Sequence, residues 1–110
     1  GNECEVELEN GQVLLAGVSG DGTVAWLKHR TVVRDKNMEA LTAEAKQAYG
    51  NPYRDAVRNP KAGGYTSFGH VDPVRGERKL GWRSEDADLE MSVFFGVGQS
   101  VEVVTLIKPR

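Results

Sequence analysis

The sequence contains only one cysteine and two histidines among its 110 residues. A single cysteine excludes an intrachain disulfide and a zinc site built from several thiolates. Cys4 stands in a segment that alternates apolar and acidic residues, so we expect it to be a small core residue rather than a nucleophile. Because disulfide-free chains are typical of reducing compartments, we expect a cytoplasmic protein, while secretion or excision from a longer chain stays open.

Long apolar runs are also missing from the sequence. No stretch approaches the roughly 20 apolar residues that cross a bilayer, so we expect no membrane partner. Hydrophobic residues make up 39% and charged residues 27% of the chain, which is typical of a soluble globular protein. A chain of 110 residues has the usual size of one domain, and we predict a single domain over residues 1–110.

The formal net charge is only −2, but the charges are unevenly distributed. The segment from Lys28 to Arg83 carries twelve basic and six acidic residues, whereas the flanks together carry two basic and ten acidic residues. A basic middle segment is a candidate surface for an anionic partner such as a nucleic acid. Solvent-exposed surfaces that carry both positive and negative side chains are the simpler explanation of the same charge pattern.

The first third of the sequence predicts a three-stranded meander. Glutamates alternate with Cys4, Val6 and Leu8, which is the period-two pattern of a half-buried strand. Asn10-Gly11 favours a tight hairpin turn, because both residue types readily adopt positive φ. Residues 13–18 then predict the return strand, and residues 23–33, after a second turn at SGDG, predict the third.

Residues 38–58 predict the helical part of the fold. Asn37 is suited to cap a helix that begins at Met38, and Gly50 is suited to end it. Asn51-Pro52 is typical of a helix start, so YRDAVRN predicts a second short helix that ends before Pro60. A single kinked helix over residues 38–58 is the alternative.

The last 23 residues, 88–110, predict a hairpin, since DLEMSVFF and SVEVVTLI both show strand patterns and GVGQ lies between them. No strand alternates with helices in the manner of a parallel sheet. The predicted fold class is therefore α+β. It has an antiparallel sheet of about five or six strands, made of an N-terminal meander and C-terminal hairpins, with one helix or a broken helix pair packed on one face.

The segment GGYTSFGHVDPVRGERKLGW, residues 63–82, predicts a further hairpin. YTSFGHV would form one strand, DPVRG a reverse turn and ERKLGW the return strand. Cationic side chains then lie near a histidine and two aromatic rings, so we expect any anionic partner to contact this segment. The predicted contact residues are His70, Arg75, Arg78, Lys79, Tyr65 and Phe68.

Catalytic motifs are not evident in the sequence. GVGQS precedes a β-branched strand rather than a helix, so it predicts a turn instead of a phosphate-binding loop. We predict no metal and no cofactor. If the protein is an enzyme, metal-independent RNA cleavage suits these residue types, with His70 and His29 transferring protons and Arg78 stabilising the phosphate. His29 shares a strand face with apolar residues, however, and is expected to be half-buried.

Three classes of function remain. We favour a small interaction or accessory protein that binds a protein partner, or a second copy of itself, through a sheet face. Phe94 and Phe95 point to opposite sides of a regular strand, and an exposed Phe94 beside Val104 and Leu106 would form such a patch. The alternatives are a toxin-like domain that cleaves or binds RNA through His70 and the basic hairpin, and a small-ligand-binding module with a pocket between helix and sheet.

Overall fold

A computed structural model describes residues 2–110. The elements, in chain order, are β1 (Asn2–Glu7), β2 (Val13–Val18), β3 (Val24–Val33), α1 (Met38–Tyr49), β4 (Arg54–Arg58), β5 (Gly64–Thr66), β6 (Gly69–Val71), β7 (Gly76–Arg83), β8 (Ala87–Phe95) and β9 (Val101–Pro109). Seven strands form one antiparallel sheet in the order β1-β2-β3-β9-β8-β7-β4, and β5 and β6 form a separate two-stranded hairpin. The predicted antiparallel α+β architecture is confirmed, but the main sheet has seven strands rather than five or six.

The N-terminal meander forms as predicted. Asn10 and Gly11 adopt φ angles of 63° and 73° at the turn between β1 and β2. The strands then pair in a register that places Cys4 opposite Ala16 and Val6 opposite Leu14. Strand β1 lies at one edge of the sheet, and its residues are all exposed.

The helix also begins and ends where the sequence predicts. The Asn37 side chain accepts a hydrogen bond from the Ala40 N–H at 2.9 Å, and Gly50 follows the last turn with a φ of 84°. Trp82 on β7 donates its indole N–H to the Gly50 carbonyl at 2.9 Å. This bond fixes the C-terminal end of α1 to the sheet.

The second predicted helix is wrong, because residues 54–58 form strand β4 instead. This strand pairs antiparallel with β7, and Asp55 lies opposite Leu80 in the register. A segment of five residues is too short to be stable as an isolated helix, whereas β7 supplies a full row of backbone partners. Neither a broken helix pair nor a kinked helix over residues 38–58 forms.

The predicted hairpin of residues 63–82 is also wrong in its pairing. YTSFGHV folds back on itself, so that Tyr65 on β5 pairs with His70 on β6. The Thr66 hydroxyl accepts the Phe68 N–H and donates to the Gly69 carbonyl, each at 3.2 Å, and Gly69 has a φ of 119°. This local turn ends the first strand early, and ERKLGW instead joins the main sheet within β7.

Residues 61–74 form a projection that we call the hairpin arm. Its base is a bridge in which Lys61 and Val74 exchange backbone hydrogen bonds of 2.8 and 2.9 Å. The molecule measures 53 × 32 × 28 Å, whereas the ten residues of β3 span only about 33 Å and seven strands are only about 29 Å wide. Every residue of the arm is exposed, so we attribute the long dimension to the arm.

Strand register assigns each side chain of the main sheet to one of two sides, which we call the helix side and the open side. The core lies on the helix side, where Ala45 of α1 meets apolar side chains of three strands. Met38 and Leu41 of α1 pack against the same cluster. The strand residues of this core are Leu80, Trp82, Met91, Val93, Val101 and Val103. The helix thus contacts mainly β7, β8 and β9.

Within residues 2–110 there is no helix with the length and apolar character that a membrane crossing requires.

Candidate interaction surfaces

Apolar side chains on the helix side continue well beyond the reach of α1. One cross-strand row runs from buried Trp82 on β7 to exposed Cys4 on β1. The residues of this row, from β7 to β1, are Trp82, Leu89, Ile107, Leu27, Ala16 and Cys4. Trp82 is the one buried member of this row, whereas Leu89, Leu27 and Ala16 are half-buried and Ile107 and Cys4 are exposed.

The neighbouring row also runs from a buried residue beside α1 to an exposed residue on β1. It begins at Leu80, which is 0% exposed, and ends at Val6, which is 51% exposed. Its residues are Leu80, Met91, Thr105, His29, Leu14 and Val6. We call the outer part of the two rows the uncovered apolar surface, which consists of Cys4, Val6, Leu14, Ala16, Leu27 and Ile107.

Cys4 is therefore not the core residue that the sequence predicts. It is exposed, although it lies on the same side of the sheet as the core. The alternation in β1 correctly identified the face of the strand. It did not reveal that this edge strand lies beyond the helix.

His29 is a polar residue beside the uncovered apolar surface, where it lies opposite Leu14 in the register. Its Nε2 atom lies 2.9 Å from the Gln12 Oε1 atom, so the ring is hydrogen-bonded within the protein. The side chain is half-buried, which confirms the sequence-based expectation. A neighbouring protein that covered this surface would not leave the His29 Nε2 atom without a partner.

A pocket of about 300 Å³ adjoins this surface, between the end of α1 and the sheet. The Tyr49 and Trp82 rings form one wall, with centroids 5.4 Å apart. The lining residues are Tyr49, Trp82, Arg83, Ser84, Ala87, Leu89 and Ile107. Ile107 belongs to the uncovered apolar surface as well, so the two features are continuous. We call this feature the apolar pocket.

The open side has a different character, because charged side chains surround a groove of about 330 Å³. Arg75 lies 4.5 Å above the Phe94 ring and 3.5 Å from Glu102, and Lys79 lies 3.3 Å from Glu90. The lining residues of this charged groove are Lys28, Arg30, Arg75, Glu77, Lys79, Glu90, Ser92, Phe94, Glu102, Val104 and Leu106. Phe94 is half-buried beneath Arg75 and does not form the exposed patch that we expected.

The structure separates the cationic residues that the sequence grouped as one binding site. Arg75 and Lys79 line the charged groove. Arg78 lies on the helix side, where its Nε and Nη2 atoms donate to the two Asp55 carboxylate oxygens at 2.9 and 2.8 Å. Lys46 of α1 lies 3.2 Å from the same carboxylate. Arg78 therefore connects β7, β4 and α1 and does not lie with Arg75 and Lys79.

Electrostatics at this cluster follow from its geometry. Hydrogen bonding to Arg78 lowers the pKa of Asp55 below its ordinary value, and Lys46 lowers it further. The same hydrogen bonds raise the pKa of Arg78. Both groups are therefore charged throughout the neutral range, and the Arg78 guanidinium already holds a carboxylate.

The other three predicted contact residues lie together on the hairpin arm. The Tyr65 and His70 rings meet edge to face, with centroids 5.3 Å apart. The His70 Nδ1 atom lies 3.2 Å from the Asp72 Oδ1 atom. Phe68 occupies the tip and is fully exposed. His29 belongs to the main sheet, so the two histidines lie in different sheets.

Sequence reasoning missed the uncovered apolar surface, although a signal for it was present. The sequence predicts one convincing helix, and a helix about 10 Å wide covers only two or three strands spaced about 4.8 Å apart. A sheet of five or more strands must then leave part of its apolar side without cover. Leu14, Ala16 and Leu27 occupy that part.

No protein-family model, no curated protein and no solved structure shows a significant match to this chain. Within the described residues 2–110, no group of three or more histidine, cysteine, aspartate or glutamate side chains is arranged to hold a metal ion.

Proposed function

We propose that the protein is a small protein-binding domain that self-associates through the uncovered apolar surface. The observation that carries this proposal is the gradient from buried Leu80 to Val6 along a single row of the sheet. Leu80 and Met91 are buried beside α1, Leu14 is half-buried farther away, and Val6 on the edge strand is exposed. Contiguous exposed apolar surface of this kind marks a site of association.

The helix side supports the proposal better than the open side does. The charges of the open side include internal pairs, such as Lys79 with Glu90 and Arg58 with Glu77, and a charged surface of this kind is stable in water. Burial of aliphatic side chains, in contrast, is favourable by about 25 cal/mol per Å² of apolar area. Association should therefore occur through the helix side.

The chain exposes more area than a compact monomer of its mass. It exposes 7673 Å², whereas a folded monomer of 12.0 kDa exposes about 6,000 Å². The excess of about 1,700 Å² includes the hairpin arm, whose residues are all exposed, as well as the part of the sheet that α1 does not cover. Two sheets can pack face to face with about 10 Å between them.

A second copy is the occupant that we propose. Two copies related by a two-fold axis would place one apolar surface against the other, so that Leu14, Ala16 and Leu27 would meet equivalent side chains. Since the His29 ring is already bonded to Gln12, its bonded nitrogen would keep its partner in such an interface.

Paired valine variants on the two edge strands test this proposal. Val6 on β1 and Val57 on β4 are 51% and 52% exposed, and both lie on the helix side of the sheet at opposite edges. We expect the wild type to dimerise in sedimentation equilibrium at micromolar concentrations. Val6→Lys should weaken the dimer at least tenfold, which is about 1.4 kcal/mol, because it introduces a charge into the interface.

Val57→Lys is the matched control, since it makes the same change at the same exposure outside the uncovered apolar surface. It should leave the dimer unchanged. A wild type that stays monomeric over the whole concentration range would overturn the proposal, as would equal losses in the two variants.

Metal-independent RNA cleavage is the second candidate, and the His70–Asp72 pair is the observation that favours it. A carboxylate at 3.2 Å from Nδ1 can orient an imidazole for proton transfer, and the adjacent Tyr65 ring can stack on a base. Purified protein should then degrade RNA in the presence of a chelator, and His70→Ala should abolish this activity. Intact RNA after long incubation would refute the candidate.

A further inference from the structure

The open side of the sheet carries more positive than negative charge. Over the five strands from β3 to β4, seven cationic and four acidic side chains lie on this side. The charged residues on the helix side of the same strands are Arg78 and Asp55, which neutralise each other. The open-side residues are Lys28, Arg30, Arg54, Arg58, Lys79, Arg83 and Lys108, together with Glu77, Asp88, Glu90 and Glu102.

Each of the four open-side carboxylates already has a cationic partner. The pairs, with nitrogen–oxygen distances of 3.7 Å or less, are Glu77–Arg58, Glu90–Lys79, Glu102–Arg75 and Asp88–Arg110. Among residues 2–110, Lys28, Arg30, Arg54 and Lys108 form no ion pair. These four cations can therefore bind an external anion without breaking a contact within the protein.

Two aromatic rings lie against the open side where the sheet has glycine. Trp26 is opposite Gly17 in the register, and a Cβ atom on Gly17 would come within 2.1 Å of the indole Nε1. Tyr53 covers Gly81 in the same way, with ring atoms 2.9 Å from the position of a Cβ. Trp26 is half-buried and Tyr53 is 55% exposed, so each ring keeps surface in contact with solvent.

Arginine side chains extend these aromatic surfaces. The Arg83 guanidinium lies 4.1 Å from the centre of the Tyr53 ring, and Arg75 lies 4.5 Å from the centre of the Phe94 ring. Nucleic-acid bases stack on aromatic rings and on planar guanidinium groups alike. The open side thus presents stacking surfaces for bases beside cations that suit phosphates.

We infer that the open side binds a single-stranded nucleic acid. Trp26 and the ring of Tyr53 over Gly81 are separated by three strand spacings, about 14 Å, and unpaired cations lie between and beside them. A positively charged surface with aromatic rings is the usual binding mode for single strands. Strand β1 presents Glu3, Glu5 and Glu7 to the same side, so the binding surface ends at β2.

The inference does not depend on the proposed self-association. A dimer through the helix side would leave the open side of each copy in solvent. A labelled strand of about ten thymidines, close to the site size of a small sheet-based domain, is a suitable probe. Because DNA lacks the 2′-hydroxyl, it also measures binding without the RNA cleavage considered above.

Lys28→Gln tests the phosphate contact. Fluorescence anisotropy at about 0.1 M salt should show an affinity about fivefold lower than that of the wild type, with a salt dependence smaller by about 0.7 in logarithmic slope. Lys36→Gln is the matched control, because Lys36 is paired with Glu44 of α1 at 2.8 Å. It should leave the affinity and the slope nearly unchanged, and equal losses in the two variants would contradict the assigned surface.

Tyr53→Leu tests the stacking contact. It should weaken binding about tenfold, whereas Tyr49→Leu should have little effect. Tyr49 is the matched control, since it is also 55% exposed but packs against Trp82 on the helix side. Circular dichroism should show that both variants keep the wild-type fold, and no difference in affinity between them would refute stacking at Tyr53.

Competitors decide which kind of anion this surface binds. A DNA duplex keeps its bases stacked inside the helix, so it should compete at least tenfold more weakly than the single strand at equal phosphate concentration. Polyglutamate at equal charge should also compete weakly. Equal competition by the duplex or by polyglutamate would overturn the inference, the latter in favour of an acidic protein partner, as would no binding of the labelled strand. A monomeric wild type that binds the strand would refute self-association alone.

Discussion

At the scale of single residues, the chain shows how one arginine can belong to the fold rather than to a binding site. The sequence predicts Arg78 as a contact for an anionic partner, because it follows a turn near His70 and other cationic residues. In the structure its guanidinium holds Asp55 through two hydrogen bonds. Strand register decides this outcome, since Arg78 and Lys79 necessarily point to opposite sides of β7.

Asp55→Asn tests the contribution of this pair to stability. The pKa of Asp55 is lowered in the folded state, first by Arg78 and then by Lys46. The stabilisation is therefore complete above the unfolded-state pKa of about 3.9 and is lost as the pH falls through the lower folded-state pKa. Urea unfolding at pH 7 should show a loss of about 1 to 2 kcal/mol in the variant.

Unfolding measurements over a range of pH show in which direction the contribution of Asp55 to stability changes. The difference between wild type and Asp55→Asn should shrink as the pH is lowered from neutrality to below about 4. Asp72→Asn is the control, since Asp72 lies on the exposed arm, and it should leave the unfolding free energy nearly unchanged. A difference that grows in acid would contradict the assignment.

At the scale of elements, the sequence predicted those that local chemistry determines. The Asn10-Gly11 turn, the Asn37 cap and the Gly50 helix end each depend on residues within one turn of chain. The strands β8 and β9 followed from their period-two alternation. Strand β4 and the β5–β6 hairpin were not predicted. The first forms because it pairs with β7, and the second forms because the turn at Thr66 reverses the chain.

Asn37→Ala measures what the helix cap contributes. Loss of the bond between the Asn37 side chain and the Ala40 N–H should lower the free energy of unfolding by about 1 kcal/mol. Thermal unfolding followed by circular dichroism is the measurement. Asn51→Ala, just beyond the end of α1, should have a smaller effect, and equal losses at the two positions would argue against the cap.

At the scale of the whole molecule, the sheet is wider than its single helix can cover. This mismatch produces the uncovered apolar surface, and the arm adds a second exposed apolar feature at the Gly76 end of β7. The open side, by contrast, presents charges of both signs around the charged groove. The two sides of the sheet therefore favour different kinds of association.

Salt dependence separates these two modes. Exposed ion pairs are screened at high ionic strength, with a Debye length of about 3 Å at 1 M salt compared with about 10 Å at 0.1 M. A dimer through the uncovered apolar surface should keep or increase its affinity when sodium chloride is raised over this range. Marked weakening of the dimer would indicate contact through the charged groove and would contradict the proposed interface.

The sequence by itself determined the antiparallel α+β class, the meander, the helix α1 with its caps, and the faces to which β-strand residues point. These features depend on period-two alternation and on side chains close in the chain. The tertiary structure alone decided that residues 54–58 extend the sheet, that Arg78 is held by Asp55, and that Cys4 and Leu27 lie beyond the helix. Each of these depends on residues distant in sequence. Pairing with β7 overrides the helical preference of residues 54–58 and brings Arg78 beside Asp55. The limited width of α1 leaves Cys4 and Leu27 outside the core.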